Sequence, residues 1–565
     1  MSSSAPPTRP EPDADGHDAA GQAYAGTLDR GHRRRSGAFY TPPAIAAGLV
    51  AVAADGLDLG PPSRPTVCDP AVGGGAFLLA AARHLERAGH DRATIVGHLV
   101  WGADVDAAAV AVARDALESW AAASGAVVEA THVVVGDSLS RGRAVWPDAP
   151  TDGFDLVVGN PPFLNQLETR TARPRRQAAL LRDRLGTLVR PYADAAALFL
   201  ADGAWWLAPG GRLALILPES VLAARDAGPA RAAASARAAV VGFWWPGQAV
   251  FDAMVDVCAP ILARGAPAGP VRRWFGPDFT PLAPAEPLGP APAGELGHRS
   301  DPAPLWSPLL DRSAAEVARA VSRLAGHGVL GSRVEATAGF RDQFYGVAPH
   351  VYERDAASVS AGDAAVVPLV TVGLIDPLHL RWGSSSTRFA GRRWAAPAVD
   401  LVSLAAQNPA LARWAQARLV PKVVLATQTR ILEPVVDGQG AWWPSVPAIA
   451  VTPRSGDPDE LWAVAAVLAS PAVSAWALAR YRGSALSRDA IKLAATQVRE
   501  LPLPGDTGAW AEGAGAARRA QEGAEAADPA AWRQALIDLG AAMTAAYRSG
   551  PEVQQWWVGR LPPWR

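Results

Sequence analysis

Apolar and polar positions in the first half of the chain form short apolar runs separated by longer helical patterns. Each run is long enough for one buried strand and stops at a glycine or a polar residue. The runs predict four strands and two helices, in the order Thr66–Cys68, helix Leu79–Ala88, His98–Trp101, helix Ala107–Ala121, His132–Val135 and Leu156–Val158. Strands alternating with helices predict an open α/β sheet with parallel strands.

A polar side chain follows each of the four predicted strands, in turn Asp69, Asp104, Asp137 and Asn160. Ligands of open α/β sheets bind at the carboxyl ends of the strands. One such acid is usually a helix cap, but capping alone does not explain three acids that each end a strand. These ends therefore predict a ligand site.

The first strand runs into a glycine-rich turn that contains Gly73 and Gly75, and a helix follows. A strand, a glycine turn and a helix form the usual nucleotide-binding arrangement. The spacing is not that of the dinucleotide fingerprint, and no lysine follows the glycines, which excludes a phosphate-cradling P-loop.

The fourth strand runs into Asn160-Pro161-Pro162-Phe163. The prolines stiffen the chain, and Asn160 is held extended because it precedes a proline. One carboxamide oxygen and one backbone carbonyl are thus fixed beside an aromatic ring, an arrangement that suits the exocyclic amine of a planar base. A simple strand-ending turn also explains the tetrapeptide taken alone. Upstream, Thr41 before Pro42 predicts a helix cap, and a helix start can also face a carboxylate.

The length of 565 residues predicts several domains. We expect a disordered tail over 1–30, a catalytic domain over 31–265, a Pro/Ala/Gly-rich linker over 266–310, a second domain of mixed α+β structure over 311–505, and a linker with a C-terminal helix over 506–565.

The net charge is −1, so a surface for nucleic acid has to be local. Two cysteines are too few for a disulfide framework or a zinc cluster and fit a reducing cytoplasm. Apolar runs of membrane-spanning length and a signal-peptide core are absent from the sequence. The residue usage is that of a GC-rich bacterial genome. We therefore expect a bacterial cytoplasmic protein with no membrane association and no metal.

Two stretches concentrate arginine. One follows the Asn-Pro-Pro-Phe tetrapeptide, and the other, in the second domain, is interleaved with tryptophans. Arginine interleaved with aromatics is typical of nucleic-acid surfaces, although core tryptophans with solvated arginines give the same pattern. The candidate DNA-binding residues are Arg175, Arg176, Arg392, Arg393, Lys422 and Arg430.

In this order the motifs resemble those of the adenine-N6 DNA methyltransferases, in the group whose cofactor motifs come first and whose target recognition domain comes last. The resemblance covers about 40–505. It implies a Rossmann-like S-adenosylmethionine-dependent methyltransferase domain followed by a TaqI-like recognition domain. The cues in the second domain are Tyr481–Ser487, Lys492 and Leu501–Pro504.

The resemblance also implies roles for individual residues. Cofactor contacts are implied for Tyr40, Thr41, Asp69, Gly73, Gly75, Asp104, Asp137 and Asn160, and the catalytic motif is Asn160, Pro161, Pro162 and Phe163. Phe163 and Phe251 would stack on the flipped base. The implied reaction is direct transfer of the methyl group of S-adenosyl-L-methionine to an adenine amine that has left the duplex.

The expected function is therefore site-specific adenine-N6 methylation of double-stranded DNA, as the modification component of a restriction or phage-defence system. The common nuclease core needs an acid two residues before a lysine. The only lysines of the sequence are Lys422 and Lys492, and Val420 and Ala490 stand two residues before them. Cleavage would then belong to a separate subunit.

Cytosine-N4 methylation and a non-catalytic DNA-binding role remain alternatives. Cytosine C5 chemistry needs a cysteine nucleophile, and neither Cys68 nor Cys258 is suitably placed. Enzymes that methylate glutamine in release factors or guanine in ribosomal RNA share the tetrapeptide, but they lack this N-terminal motif combined with a long C-terminal domain.

Overall fold

The computed structural model describes residues 41–163, 175–190, 194–247, 256–288, 306–310, 327–338, 345–354, 366–481 and 490–564. The chain divides into two compact units, Met1–Leu310 and Asp311–Arg565. The tail predicted to be disordered, 1–30, lies outside the described residues.

The first unit is built on a ten-stranded sheet. Its strands are β1 Val67–Asp69, β2 Val100–Asp104, β3 His132–Val135, β4 Phe154–Gly159, β5 Leu207–Leu215, β6 Leu217–Pro218, β7 Ala239–Trp245, β8 Val257–Ala263, β9 Val271–Phe275 and β10 Thr280–Ala285. The order across the sheet is β3-β2-β1-β4-β5-β8-β7-β9-β10, and β6 pairs with β8. The strands from β3 to β5 are parallel to one another, whereas β8 is antiparallel to its neighbours.

Helices cover the sheet of the first unit on both faces. Their bounds are α1 Pro43–Ala54, α2 Ala76–Arg87, α3 Arg92–Thr94, α4 Ala107–Ala122, α5 Ser138–Arg141, α6 Arg175–Leu185, α7 Ala195–Trp205 and α8 Gly228–Arg237. Alternate strand residues enter the two cores: Leu156 and Val158 pack in the core that contains α1, α2 and α4, and Val157 packs in the core that contains α7 and α8. The predicted α/β fold class is confirmed.

The strand order reverses at β1, which has β2 on one side and β4 on the other. Both pairs are parallel, so β1, β2 and β4 have their carboxyl ends at the same edge of the sheet. A reversal of this kind opens a crevice outside the strand ends, and ligands of such sheets bind there.

The segment 266–310 is not the linker that its composition predicts. It contains β9 and β10, and it ends in Trp306, which is fully buried and whose backbone N–H donates to Leu222 O at 3.0 Å. Pro281 and Pro284 fit within β10 because that strand forms the edge of the sheet, where a missing N–H breaks no ladder. The first compact unit therefore extends to Leu310.

The second unit has two four-stranded sheets and two hairpins among its described residues. Its strands are β11 Val334–Ala338, β12 Val351–Glu353, β13 Val366–Val370, β14 Ile375–Asp376, β15 His379–Leu380, β16 Thr387–Phe389, β17 Arg392–Trp394, β18 Pro397–Asp400, β19 Lys422–Ala426, β20 Glu433–Asp437, β21 Trp443–Pro444 and β22 Ile449–Pro453. The sheets have the orders β11-β22-β19-β20 and β12-β18-β13-β21, and the hairpins are β14–β15 and β16–β17.

The helices of the second unit pack mainly against the first of these sheets. They are α9 Leu401–Gln407, α10 Pro409–Gln416, α11 Pro458–Ala469, α12 Pro471–Tyr481, α13 Ala495–Arg499, α14 Thr507–Glu525, α15 Pro529–Ala546 and α16 Pro551–Val558. In the part of the chain that the structure describes, no single helix is long and apolar enough to cross a membrane; α11 and α12 meet that criterion only as a pair bent by 54°.

The prediction of a linker at the start of 506–565 is wrong, because α14 begins at Thr507. Asp506 caps this helix by accepting hydrogen bonds from the N–H groups of Gly508 and Ala509. A Cβ at Gly523 would lie 2.9 Å from the backbone nitrogen of Trp532, so this glycine lets α14 and α15 pack closely. The Gly/Ala-rich composition that suggests a linker thus reflects tight helix packing.

Candidate functional site

The predicted site residues of the first unit gather at the carboxyl edge of β1 to β4. Asp69 and Asp104 are the last residues of β1 and β2, and Asn160 directly follows β4. Asp137 lies two residues beyond β3. The parallel pairing of these strands brings together residues that are up to 91 positions apart in the sequence.

The Asn160 side chain is half-buried, and its Nδ2 donates a hydrogen bond to Oγ1 of Thr41 at 3.1 Å. Thr41 is itself buried, which makes it a rigid partner. Donation from Nδ2 fixes the plane of the amide and leaves Oδ1 as its accepting end. The structure also corrects the prediction for Thr41: Pro42 is the N-cap residue of α1, with no side-chain capping bond, and Thr41 orients Asn160 instead.

Gly159 lies against the carboxyl group of Asp69. A Cβ at position 159 would be 2.5 Å from Asp69 Oδ1, so no larger residue fits there without displacement of the carboxyl. Asp69 is almost fully buried, and its Oδ1 accepts a hydrogen bond from the N–H of Ala71 at 3.0 Å. The end of β1 therefore supports the backbone immediately before Asn160.

Both strand-end acids favour the protonated form more than a carboxyl in water does. Burial raises the pKa of Asp69 to about 8, the hydrogen bond from Ala71 acts in the opposite direction, and the charge of Asp104 adds to the rise. Burial also raises the pKa of Asp104, although the N–H groups of Asp106 and Gly73 donate to it at 3.0 Å. A cation or a pair of hydroxyl donors brought to this edge would stabilise the ionised carboxylates.

The glycine-rich loop leaves room for a ligand. Gly73 has φ +49°, and a Cβ there would meet nothing within 4 Å, so the space over this residue is open. Gly75 has φ +92° and caps α2, and a Cβ there would lie 3.1 Å from Ala113 Cα. Gly73 thus leaves space for a ligand, and Gly75 lets α2 and α4 pack closely. An open loop beside a strand-end acid fits a nucleoside such as that of S-adenosylmethionine.

Asp137 is a cap of the four-residue helix α5. Its carboxyl accepts hydrogen bonds from the N–H of Ser140 at 3.0 Å and from Ser140 Oγ at 2.5 Å. The next residue, Ser138, is buried and donates from Oγ to Pro70 O at 2.6 Å, which ties the loop after β3 to the loop after β1. Sequence reasoning missed Ser138, whose only signal is its position directly after a strand-end acid.

Of the remaining residues of the catalytic motif, Pro161 is buried, and Pro162 and Phe163 are half-buried. Phe163 packs against both cores of the first unit. Tyr40 and Phe251 lie outside the described residues. Arg175 and Arg176 begin α6, and the structure does not describe their side chains.

Arg184, in the basic stretch after the motif, is structural. Its Nε donates to Leu139 O at 2.9 Å and its Nη1 donates to Asp202 Oδ1 at 2.9 Å, which fastens α6 to α5 and α7. Asp202 is buried, so the carboxylate of this ion pair is shielded from solvent. No sequence signal separates this arginine from its solvated neighbours.

Both cysteines are buried. Burial raises the pKa of the Cys68 thiol well above its ordinary value, so the thiol stays protonated. A thiolate is the nucleophilic form of cysteine. This geometry does not support the covalent chemistry of cytosine C5 methylation.

The predicted DNA-binding residues of the second unit divide into two groups. Arg392, Arg393 and Arg430 are exposed. Lys422 is wrong as a DNA contact: its side chain is 0% exposed, and its Nζ lies 2.5 Å from Asp437 Oδ2. The lysine begins the apolar strand β19, where it is buried and forms an ion pair with Asp437.

The tryptophans of the same stretch belong largely to the packing of the second unit. The indole N–H groups of Trp382 and Trp394 donate to backbone carbonyls at 2.8 and 3.0 Å. Trp414 lies beneath the guanidinium of Arg418, 3.8 Å from the ring centroid. The aromatic half of the predicted nucleic-acid pattern therefore reflects packing, whereas several of its arginines face solvent.

The sheet order and the strand-end loops of the first unit resemble those of S-adenosylmethionine-dependent methyltransferases. Residues 15–232 match the family described as N-6 DNA Methylase, which confirms the predicted resemblance and implies S-adenosyl-L-methionine as the cofactor. The chain is also 32% identical over 151 residues to a release factor glutamine methyltransferase of Gloeobacter violaceus, over 26% of this chain and 44% of that protein. The chain thus spans less than half the length of that relative.

Two solved structures resemble the fold over most of the chain. One is the Type IIL restriction-modification enzyme MmeI in complex with DNA, with a TM-score of 0.59 and 12% identity over 96% of this chain and 80% of that chain. The other is a DrdV–DNA complex, with a TM-score of 0.52 and 13% identity over 90% of this chain and 60% of that chain. At these identities the likeness concerns the fold.

Proposed function

We propose that this chain is a site-specific DNA methyltransferase that transfers a methyl group from S-adenosylmethionine to the N6 amine of an adenine that has left the duplex. The observation that carries the proposal is the oriented carboxamide of Asn160 at the switch point of a methyltransferase sheet. The family match over 15–232 supports a DNA substrate.

The chemical problem is that an adenine amine is a poor nucleophile, because its lone pair is delocalised into the ring. Asn160 Oδ1 and the carbonyl of Pro161 are two acceptors that would draw the amine hydrogens to one side and favour a tetrahedral nitrogen. Acceptors that are in place before the reaction need no reorganisation while charge develops on the amine. Thr41 supplies that preorganisation, because its hydroxyl accepts from Nδ2.

The other site residues would bind and orient the reactants. Asp104 and the Gly73 loop would hold the nucleoside of the cofactor, and Thr41 would lie towards its methionine end. The bound cofactor supplies an electrophilic methyl group on a sulfonium. Transfer of that group to the amine would exchange the carbon–sulfur bond for a nitrogen–carbon bond, leave S-adenosylhomocysteine as the neutral thioether and release one amine proton to water. Close in-line placement then accounts for much of the acceleration.

We propose adenine as the target base. Cytosine-N4 transfer would use the same two acceptors on the same kind of amine, so it stays the alternative target. Phe163 is half-buried beside Asn160 and would stack on either base. Stacking on an aromatic side chain stabilises a base by roughly 1–3 kcal/mol.

The second unit would supply DNA contacts. It carries exposed arginines at Arg392, Arg393 and Arg430. We place the enzyme in a restriction-modification or phage-defence system, in which a separate subunit would cut unmodified DNA. The restriction-modification enzyme MmeI, solved with DNA, shares the fold over most of this chain, which supports this assignment.

The test is direct. The purified protein is incubated with unmethylated genomic DNA and isotope-labelled S-adenosylmethionine, and the DNA is then digested to nucleosides for mass spectrometry. Label in N6-methyladenine is the expected result, and label in N4-methylcytosine would change the target base.

A parallel reaction contains bacterial release factor instead of DNA, because one relative is a glutamine methyltransferase. Label on glutamine with none in DNA would overturn the proposal. Asn160→Ala is the blank for both reactions.

A further inference from the structure

Gln428 adopts a backbone conformation that normally belongs to glycine. It lies in the connection between β19 and β20 with φ +68°, in the left-handed region. A side chain with a Cβ is unfavourable there, and among non-glycine residues Asn and Asp adopt the region most readily. An ordinary connection would place Gly, Asn or Asp at this position, so the glutamine side chain needs an explanation.

The hydrogen bonds around Gln428 form a β-bulge. The Gln428 N–H donates to Ile491 O at 2.8 Å, and the Ile491 N–H donates to Thr429 O at 2.7 Å, so two residues face one across the bridge. In the common bulge of this type the left-handed position is a glycine. Bulges re-aim side chains next to functional sites. Here the bulged residue carries an amide side chain.

The loop that carries Gln428 is firmly held on both sides. Thr427 is buried, and Thr429 Oγ1 donates to Ile431 O at 2.5 Å. Ile431 and Leu432 are fully or almost fully buried. Gln428 itself is only half-buried. The loop is therefore a rigid mount for one partly exposed amide side chain, as a recognition residue requires.

The flanking charges suit a nucleic acid. Arg430 follows the bulge on one strand of the bridge and is exposed, and Lys492 follows Ile491 on the other strand and is also exposed. Positively charged side chains contact phosphates and fix the register, whereas a glutamine amide can donate to N7 and accept from N6 of adenine in the major groove. The two kinds of side chain thus have different expected effects on binding.

We propose that Gln428 reads one base pair of the DNA target from a bulge whose neighbours Arg430 and Lys492 contact the backbone phosphates. This inference rests on the proposed function, because it assumes a DNA substrate. It assigns sequence discrimination to a residue that no sequence motif marks.

Gln428→Gly is the decisive variant, because glycine keeps the bulge and removes only the amide. Wild type and variant methylate genomic DNA with S-adenosylmethionine, and the modified sites are mapped by sequencing. The variant should lose discrimination at one position of the site by roughly ten- to a hundredfold. Its affinity for non-specific DNA should be unchanged and its melting temperature equal or higher. Gln428→Glu, which keeps the shape but removes the amide donor, should lose discrimination at the same position.

Two controls separate this role from others. Ala527 also has a left-handed backbone, at φ +54°. Ala527→Gly removes the strain at that position and should leave the recognised sequence unchanged. Arg430→Ala should weaken binding to all sequences and reduce the salt slope by about one, without relaxing the site.

The outcomes are distinguishable. A wild-type enzyme that methylates a defined site, together with a Gln428→Gly variant that shows the same discrimination, would overturn this inference alone. A wild-type enzyme that labels no DNA would overturn the proposed function as well. Loss of melting temperature in Gln428→Gly would assign the residue a structural role.

Discussion

The strand-end site of the first unit and the bulge of the second unit both present an amide side chain, but they support it in different ways. Asn160 is fixed through its side chain, because a buried threonine accepts from its Nδ2. Gln428 is fixed through its backbone, and its side chain is half-buried. A catalytic acceptor has to be immobile before the reactants arrive, whereas a recognition residue needs a firm base and a side chain that its partner can reach.

The two regions also differ in their use of charge. At the strand ends Asp69 is buried and Asp104 is half-buried, and burial raises the pKa of both, so the first site can stabilise a cation or hydroxyl donors. The bulge is flanked by exposed cations and suits phosphates. Substitutions in the first region should change rate and cofactor binding, and substitutions in the second should change DNA affinity or sequence preference.

The largest effect is expected for Asn160→Ala. Removal of a preorganised polar group of this kind costs about 10²–10³ in rate, and we expect cofactor binding to persist because the glycine loop and Asp104 are untouched. Single-turnover methylation and calorimetric titration with S-adenosylmethionine measure the two quantities. Asn408→Ala, which removes a helix cap in the second unit, is the matched control and should retain activity. Joint loss of transfer and cofactor binding in Asn160→Ala would contradict the assigned role.

The next effect concerns pH. The folded pKa of Asp69 is about 8 against an ordinary value of 3.8, so the folded protein holds a proton that the unfolded chain releases above about pH 4. Stability from this group is therefore complete below pH 4 and declines as the pH rises towards 8. Asp69→Asn imitates the protonated acid. The variant should lose roughly 3 kcal/mol less unfolding free energy than wild type between pH 5 and 8. Denaturant unfolding of both proteins between pH 5 and 8 measures it, and parallel pH profiles would show that Asp69 ionises normally.

Gly159→Ala should lower stability by about 1–3 kcal/mol, since the added methyl group meets Asp69 Oδ1. Because the same carboxyl supports the backbone before Asn160, activity should fall as well. Gly56→Ala is a control that also changes a glycine of the first unit, where a Cβ has open space but φ is +82°. Equal methylation rates for Gly159→Ala and wild type would show that the end of β1 does not position Asn160.

Asp104→Ala should weaken cofactor binding by about ten- to a hundredfold, the effect of removing a hydrogen bond to a charged group. Asp106→Ala removes a neighbouring carboxyl that caps α4 and should change that affinity far less. Titration with S-adenosylhomocysteine, which lacks the reactive methyl group, measures binding without turnover. Unchanged affinity in Asp104→Ala would remove this acid from the cofactor site.

The smallest effect is expected for Arg392→Ala combined with Arg393→Ala. Both residues are exposed on β17, and Arg393 faces Arg388 directly across the hairpin, a like-charge pair that destabilises the strands when no anion is present. DNA affinity should fall and the salt slope should decrease by about two. Arg454→Ala, an exposed arginine already paired with Glu335, is the control. An unchanged slope would place the DNA contacts elsewhere.

Local motifs made the first unit largely predictable. Each of Asp69, Asp104 and Asn160 ends an apolar run, and the alternation of strands and helices places such ends together. The partnership of Asn160 with Thr41 was not predictable, because it depends on the packing of α1 beside β4. The edge strand β10 was missed because its prolines resemble those of a linker.

In the second unit the sequence carries less information about environment. Lys422 and Arg430 both looked like cations available to DNA, yet only Arg430 is exposed. The difference depends on Asp437, which β20 brings opposite Lys422. The proposed recognition role of Gln428 could not be predicted from the sequence either, because the residue order does not indicate a left-handed backbone angle there.

The hydrogen bond between Asn160 and Thr41 joins residues 119 positions apart. A contact of such long range carries a cost in loop-closure entropy, because the chain between the two residues has to be ordered. A nascent or partly folded chain can therefore display the Asn-Pro-Pro-Phe tetrapeptide without having the oriented amide. Catalytic competence would then require that α1 has already packed beside β4, a condition that the tetrapeptide alone does not meet.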